Sequence, residues 1–251
     1  MAETVLVFGA SGNVGIAAII GALSSNRQVL AIVRNQASAE KIFRFVGSRN
    51  KITIVEADIT SEDSVRGVIQ QVRHGELPSF QHVWASPGGL AWETPTLDLK
   101  LSELREMMTV NFETYLIAYK ATIPYLIEED FPHSTWTMCT GGAGDMGYRL
   151  APAVTQGALY SFAITAAREN EKTNIRFNEV YLAHRVRLEV DKDNHIVAGM
   201  QIPLTSSKDF APLYEKILDR TDIRSSRVKA RGPEDVAEIC YATVLRELSE
   251  L

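Results

Sequence analysis

Short apolar runs alternate with longer stretches of helical period through about residue 181. Residues 4–8, 28–33, 51–56, 81–85, 134–140 and 174–181 read as strands, each an apolar, β-branched or aromatic run bounded by turn or charged residues. Between them, residues 14–24, 38–47, 62–73, about 103–127 and 152–170 carry helix-period patterns, the fourth with Pro124 near its end. Strands that are apolar throughout, rather than on alternate residues, belong to a parallel sheet covered on both faces. Strand–helix alternation with right-handed crossovers predicts an α/β fold: a doubly wound, Rossmann-type parallel sheet with helices on both faces.

After residue 181 the rhythm changes. Val186-Arg187-Leu188-Glu189-Val190 alternates, Asp191-Lys192-Asp193-Asn194 reads as a turn, and His195-Ile196-Val197 returns as the second half of a short hairpin. Residues 203–231 read as a mobile cap holding a helix near 207–220. Gly232-Pro233-Glu234-Asp235 opens a last helix, with proline early and acids in the first turn. Val244 to Leu251 keeps a helical pattern. No linker, repeat or low-complexity segment interrupts the chain. The expected organisation is one domain over 1–251, with a substrate cap at about 185–231.

The densest chemical signal lies between the first strand and the first helix, in Phe8-Gly9-Ala10-Ser11-Gly12-Asn13-Val14-Gly15. A strand, a glycine-rich turn and a helix N-terminus in that order form a cradle for a dinucleotide pyrophosphate, because first-turn N–H groups point at the ligand. Gly9 allows the sharp exit from the strand, Gly12 removes a side chain where the pyrophosphate approaches, and Gly15 lets the helix pack closely. Ser11, Asn13 and Val14 complete the expected cradle.

Composition narrows the setting. The 251 residues are 45% hydrophobic and 23% charged, the balance of an ordinary globular protein. A net charge of −5, with no dense Lys/Arg run, gives no reason to expect nucleic-acid binding. No basic leader precedes the first strand and no long apolar segment occurs, so no membrane span is expected and a cytoplasmic location is the default. Cys139 and Cys240 sit in apolar sequence and read as buried free thiols; the five histidines show no ligand spacing, so no metal site is expected.

The residue closing the second strand of such a fold faces the adenosine ribose, where an acid suits NAD. Here it is Arg34, whose guanidinium forks onto a 2′-phosphate and favours NADP(H); a plain solvated cation is the competing reading. Asp58, with Ile59 beside it after the third strand, reads as an acceptor for the adenine amino group or as a helix cap, a task also open to Thr60 or Ser61.

These pieces, in this order, resemble the short-chain dehydrogenase/reductase family over nearly the whole chain. The resemblance rests on Gly9 to Gly15, Asp58-Ile59, Val110-Asn111-Phe112, Ile175-Arg176-Phe177-Asn178 and Gly232-Pro233-Glu234-Asp235-Val236-Ala237. It implies that Ala85, Ser86, Pro87 and Gly88, in place of the usual Asn-Asn-Ala-Gly, border the cofactor ribose, and that Leu182 closes the cofactor site. It also implies a Tyr-x-x-x-Lys pair on the helix after the fifth strand, with the tyrosine moving a proton. Alignment puts Val154 and Ala158 there, and neither side chain moves a proton. Of the family's other active-site positions, Asn111 is retained and Thr140 stands near the usual serine. Tyr148, in the loop that borders the substrate, and His184, after the sixth strand, are the substitute proton carriers, with Asp145 a third. The family's glycine-rich final strand is not recognisable, so the sheet is expected to be shorter at that edge. The helices at 103–127 and 152–170 would still allow a homodimer.

The expected function is NADP(H)-dependent oxidoreduction of a small apolar substrate, with Trp92, Met146, Tyr148 and Tyr181 lining the pocket and a non-standard proton-delivery site. The missing pair keeps two alternatives open: a non-redox cyclase, isomerase or dehydratase on the same scaffold, and an NADP(H)-sensing binding protein.

Overall fold

Alternating side chains along buried strands create two cores, one on each face of a central sheet. The computed structural model describes residues 2–89, 93–190, 196–197 and 200–245. Its first half repeats strand and helix: β1 (Thr4–Phe8), α1 (Asn13–Ser24), β2 (Gln28–Val33), α2 (Gln36–Val46), β3 (Ile52–Glu56), α3 (Glu62–Arg73) and β4 (His82–Ala85). There follow α4 (Leu101–Met108), a π turn (Thr109–Glu113), α5 (Thr114–Glu129), β5 (Thr135–Gly141), α6 (Ala143–Met146), α7 (Leu150–Glu169) and β6 (Arg176–Leu182). The remainder comprises β7 (Arg185–Arg187), β8 (Ile196–Val197), β9 (Met200–Gln201), β10 (Leu204–Ser206), α8 (Ser207–Asp219), β11 (Ser226–Ala230), α9 (Pro233–Ala237) and β12 (Cys240–Thr243).

The sheet order is β12-β11-β6-β5-β4-β1-β2-β3, parallel throughout except for β12. Val5 and Val7 face one core, built with Ile16 and Ile19 of α1, Ile42 of α2 and Phe210, Tyr214 and Ile217 of α8. Leu6 and Phe8 face the other, built with Val65 and Val68 of α3, Tyr115 and Leu126 of α5 and Leu159 and Ala163 of α7. Full burial of each such side chain stabilises the fold by about 1.5–3 kcal/mol. Strand order reverses between β1 and β4, which opens a crevice at their carboxyl ends.

Local sequence sets most boundaries. Asn35 caps α2 by accepting from Ser38 N–H, and Gly47 ends it in a left-handed turn at φ +77°. Ser61, not Asp58 or Thr60, caps α3 by accepting from Ser64 N–H. The long helix expected over 103–127 runs further, continues past Pro124, and is interrupted by the π turn that holds buried Asn111.

The second half departs from the sequence expectation. The sheet is not shorter at its edge: β11 pairs in parallel with β6, and β12 covers it antiparallel. β11 is Ser-Arg-Val-Lys-Ala, with Ser226, Val228 and Ala230 buried and the two cations between them less so. That charged alternation concealed a core strand inside a segment read as cap. The helix of that segment, α8, is also structural: it packs on α1 so closely that a Cβ on Gly21 would lie 2.6 Å from the Ala211 carbonyl oxygen. Of the expected 185–231 cap, Val186 of β7 and residues of α8 and β11 all contribute to the layered core. The last helix spans only Pro233–Ala237 before the chain turns into β12, whose backbone satisfies the open edge of β11. The expected hairpin turn at 191–194 and His195, and the pattern beyond Leu245, lie outside the described residues. Cys139 is buried as expected, but Cys240 is exposed on the edge strand.

Candidate functional site

A cleft of about 520 Å³ opens at the carboxyl ends of β1, β4, β5 and β6. Its floor is the glycine turn. Gly9 takes φ +73°, and a Cβ there would sit 2.4 Å from the Ser86 carbonyl oxygen. A Cβ on Gly15 would lie 2.1 Å from the Gly9 carbonyl oxygen, so Gly15 serves the contact between the helix and the turn itself. Gly12 is exposed, and its N–H bonds Gly9 O at 3.0 Å. The first intrahelical bond is from Ile16 N–H to Gly12 O, so the N–H groups of Asn13, Val14 and Gly15 precede the helical ladder and face the cleft. This is an anion cradle built from backbone alone.

Ser86, Pro87 and Gly88 form a second wall; Gly88 has φ +117°, and a Cβ there would approach Asn111 Oδ1 to 2.9 Å. Leu182 and Val186 close the far side. Ser11 is half-buried in the turn but does not line the cleft, and Ala85 is buried at the end of β4. Arg34 is exposed at the end of β2, on the same sheet edge as the cradle. Asp58 is exposed one strand further on; its Oδ1 accepts from the Thr60 N–H at 2.9 Å and hydroxyl at 2.7 Å, and that hydroxyl bond, with the N–H second, holds the carboxyl below its usual range. Ile59 packs partly buried against the second core.

The expected proton carriers meet different fates. His184 lines the cleft, yet both ring nitrogens are engaged: Nδ1–H donates to Ala230 O at 2.9 Å, and Nε2 accepts from Thr205 Oγ1 at 2.9 Å. Burial pushes its pKa down, so the neutral tautomer ties the cap to the sheet. Tyr148 also lines the cleft, 41% exposed, beneath the Arg149 guanidinium at 4.1 Å from its ring centre. Arg149 Nε donates to Glu93 O at 2.7 Å. Thr140 lines the cleft but donates its proton away from it, to Glu179 Oε1 at 2.7 Å. Asn111 lines the cleft from the π turn. Met146 is in the wall as expected, whereas Tyr181 turns behind it to hydrogen-bond Asp145, and Trp92 lies outside the described residues.

Helix α7 corrects another reading. Val154 is 40% exposed, and neither it nor Ala158 lines the cleft. The face turned to the cleft carries Pro152 and Gln156, again four residues apart. Gln156 Oε1 accepts from Gly141 N–H at 2.6 Å and braces the end of β5.

Sequence reading also missed Glu179. Its side chain is 0% exposed and its Oε2 pairs with Arg227 Nε at 2.7 Å. Burial pushes its pKa up, against the bonds from Arg227 and Thr140. A lone acid inside an otherwise buried strand was the available signal.

A family model described as short chain dehydrogenase matches residues 3–185. The chain belongs to the short-chain dehydrogenase/reductase family. This family member is 46% identical to the short-chain dehydrogenase/reductase iacG of Pestalotiopsis fici over 94% of each chain. Its fold matches a short-chain dehydrogenase/reductase (glucose/ribitol dehydrogenase) from Brucella melitensis at TM-score 0.74, with 14% identity over 92% of this chain and 95% of that one. It also matches the RhlG/NADP active-site complex of Pseudomonas aeruginosa at TM-score 0.66, with 18% identity over 73% of each. The family comprises oxidoreductases acting on small molecules, and no Tyr-x-x-x-Lys occurs anywhere in the 251 residues of this chain. No described helix is long and apolar enough to cross a membrane, and no group of described residues could hold a metal ion.

Proposed function

We propose that this dehydrogenase uses NADP(H) to reduce a small, apolar organic substrate, with a proton supplied by groups other than the usual Tyr/Lys pair. The observation that carries the reading is the glycine cradle, where any side chain at Gly9 or Gly15 would strike backbone and the helix N-terminus opens into the cleft. These residues fit a dinucleotide. The N–H groups of Asn13 to Gly15 would hold the pyrophosphate, Ser86 to Gly88 would border the ribose, and Leu182 would pack on the nicotinamide. Arg34 would fork onto the 2′-phosphate, since it stands exposed beside the cradle where an acid would select NAD.

A bound nicotinamide supplies the hydride. The protein's part is to orient the substrate, exclude water and deliver a proton. Met146, Pro152, Leu182 and Val186 favour an apolar ligand body, with Tyr148 and Arg149 at the mouth to hold a polar end. Asn111 would brace the cleft between Gly88 and α7. Pairing of two copies through α5 and α7, where Leu116 and Ile164 are exposed, and a cytoplasmic setting belong to the same reading.

Fluorescence titration tests it. NADPH is expected to bind more tightly than NADH, and Arg34→Ala to weaken NADPH by about 10–100-fold, the worth of one or two charge-assisted hydrogen bonds. NADH binding is expected to be unmoved. Equal affinity for both cofactors, or an R34A protein that still prefers NADPH, would reject the assignment.

A further inference from the structure

Thr140, 2% exposed in the cleft lining, has its hydroxyl backed by a buried carboxyl. Thr140 Oγ1 donates to Glu179 Oε1 at 2.7 Å, and Glu179 Oε2 pairs with Arg227 Nε at 2.7 Å. Thr140 lines the cleft; Glu179 is fully buried behind it; Arg227 leaves 28% of its side chain exposed on the far side. Two consecutive contacts thus link the cleft-lining threonine, through the buried carboxyl, to a partly exposed guanidinium. We propose that Thr140 is the proton donor to the substrate oxygen and that Glu179 is a buried proton store that recharges it.

The hydrogen bond has a direction, and protonation reverses it. With Glu179 ionised, the Thr140 proton is spent on the carboxylate and points away from the cleft. With Glu179 protonated, the carboxyl O–H donates to Thr140 Oγ1, and the threonine proton turns to the cleft. With a bound nicotinamide supplying hydride to a carbonyl carbon, the substrate oxygen would take the threonine proton and become a hydroxyl. Oγ1 takes the Glu179 proton in the same movement. Glu179 is left as a carboxylate paired with Arg227 and regains a proton from water. The sum is one carbonyl, one NADPH and one proton giving one alcohol and one NADP⁺. The step rests on the reductase reading above.

The surroundings hold the Glu179 pKa above the ordinary carboxylate value, as a proton store requires. Arg227 of β11 favours the charged form; burial outweighs it, and Asp145 of α6 adds like charge. Cys139 of β5 and Tyr160 of α7 also face the carboxyl; burial pushes the thiol up to about 12 and raises the phenol as well, so both stay neutral. Tyr160 donates to Gly141 O at 2.6 Å, and Arg227 lies over the Tyr160 and Tyr181 rings, so the guanidinium is held in place.

Infrared titration of the full-length protein tests the store without substrate. A carboxylic-acid carbonyl band is expected to persist above the ordinary carboxylate range, to vanish in Glu179→Gln and to change frequency in Thr140→Val, which removes its acceptor. Spectra of wild type and E179Q that coincide across the titration overturn the proposal. With phenanthrenequinone as the carbonyl probe, T140V is expected to lose about 100-fold or more in kcat with little change in KM, and Thr140→Ser to recover most of it. The wild-type rate should fall as pH rises through the infrared midpoint, and E179Q should lose that pH dependence. A T140V rate equal to wild type, or an unaltered pH profile in E179Q, also overturns it. Failure of the cofactor reading shows separately, as absent NADPH binding, because the infrared band needs no cofactor.

Discussion

His184 shows how a residue's neighbours decide its chemistry. Its sequence position, just after the sixth strand, fits a proton carrier. Its surroundings make it a clamp, with Nδ1–H on Ala230 O and Nε2 accepting from Thr205. Thr205→Val would leave Nε2 buried without a donor, at a cost of about 1–3 kcal/mol. Urea unfolding should show that loss as a lower midpoint with an unchanged slope. The glycine turn, by contrast, was legible residue by residue. A backbone that must take φ +73° or press against a carbonyl admits only glycine, and that demand is written locally. Glu179 was legible only as a lone acid in a buried strand; its pairing was not, because Thr140 and Arg227 are distant in sequence and meet it only across β5, β6 and β11.

Elements in the first half follow from local pattern, since each strand is apolar and each helix has a period or a cap. The second half does not, because β11 carries two cations and looks amphipathic, while α8 looks like a surface helix. Their places come from what they pack on. α8 lies against α1 at Gly21, where the two backbones nearly touch. Gly21→Ala illustrates the consequence. Intrinsic propensity favours alanine in a helix by about 1 kcal/mol. The new Cβ would sit 2.6 Å from Ala211 O, so the helices must separate, and a net destabilisation of about 1–3 kcal/mol is expected. A thermal melt of G21A that matches or exceeds wild type would show that α8 yields freely.

At the scale of the whole molecule, the amino ends of the central strands hold a network that makes the fold sensitive to acid. Glu3 Oε2 accepts from His82 Nε2–H at 2.9 Å and from Arg27 Nε at 2.6 Å, while His82 Nδ1 accepts from Thr135. The His82 bond, with help from Arg27, lowers the Glu3 pKa from 4.5 to about 2. A depressed carboxyl contributes stability that is complete above pH 4.5 and lost as pH falls toward 2. Burial also lowers the His82 pKa below its ordinary 6.5, so the unfolded chain binds a proton the folded one resists, and stability starts to fall once pH drops below that value. Two acid-side losses are therefore expected. Glu3→Gln should cost about 1–2 kcal/mol at pH 7, discounted for its 32% exposure, and the gap to wild type should close toward pH 2. Chemical denaturation at a series of pH values reads this directly, and a constant gap would refute the linkage.

The sequence by itself determined the strand–helix alternation, the two-faced core of the first half and the backbone cradle between β1 and α1. Each depends on residues close in the chain, through side-chain period, capping and glycine geometry. Tertiary structure decided which edge the sheet ends on, which face of α7 meets the cleft, and which polar groups are left to act there. Pro152 and Gln156 rather than Val154 and Ala158 face the cleft because the packing of α7 on β5 and β6 sets its rotation. Thr140 gains a buried acid and His184 loses its freedom because strands far apart in sequence lie side by side in the sheet. Proton chemistry depends on such distances and on burial, and neither is encoded in any local stretch of the chain.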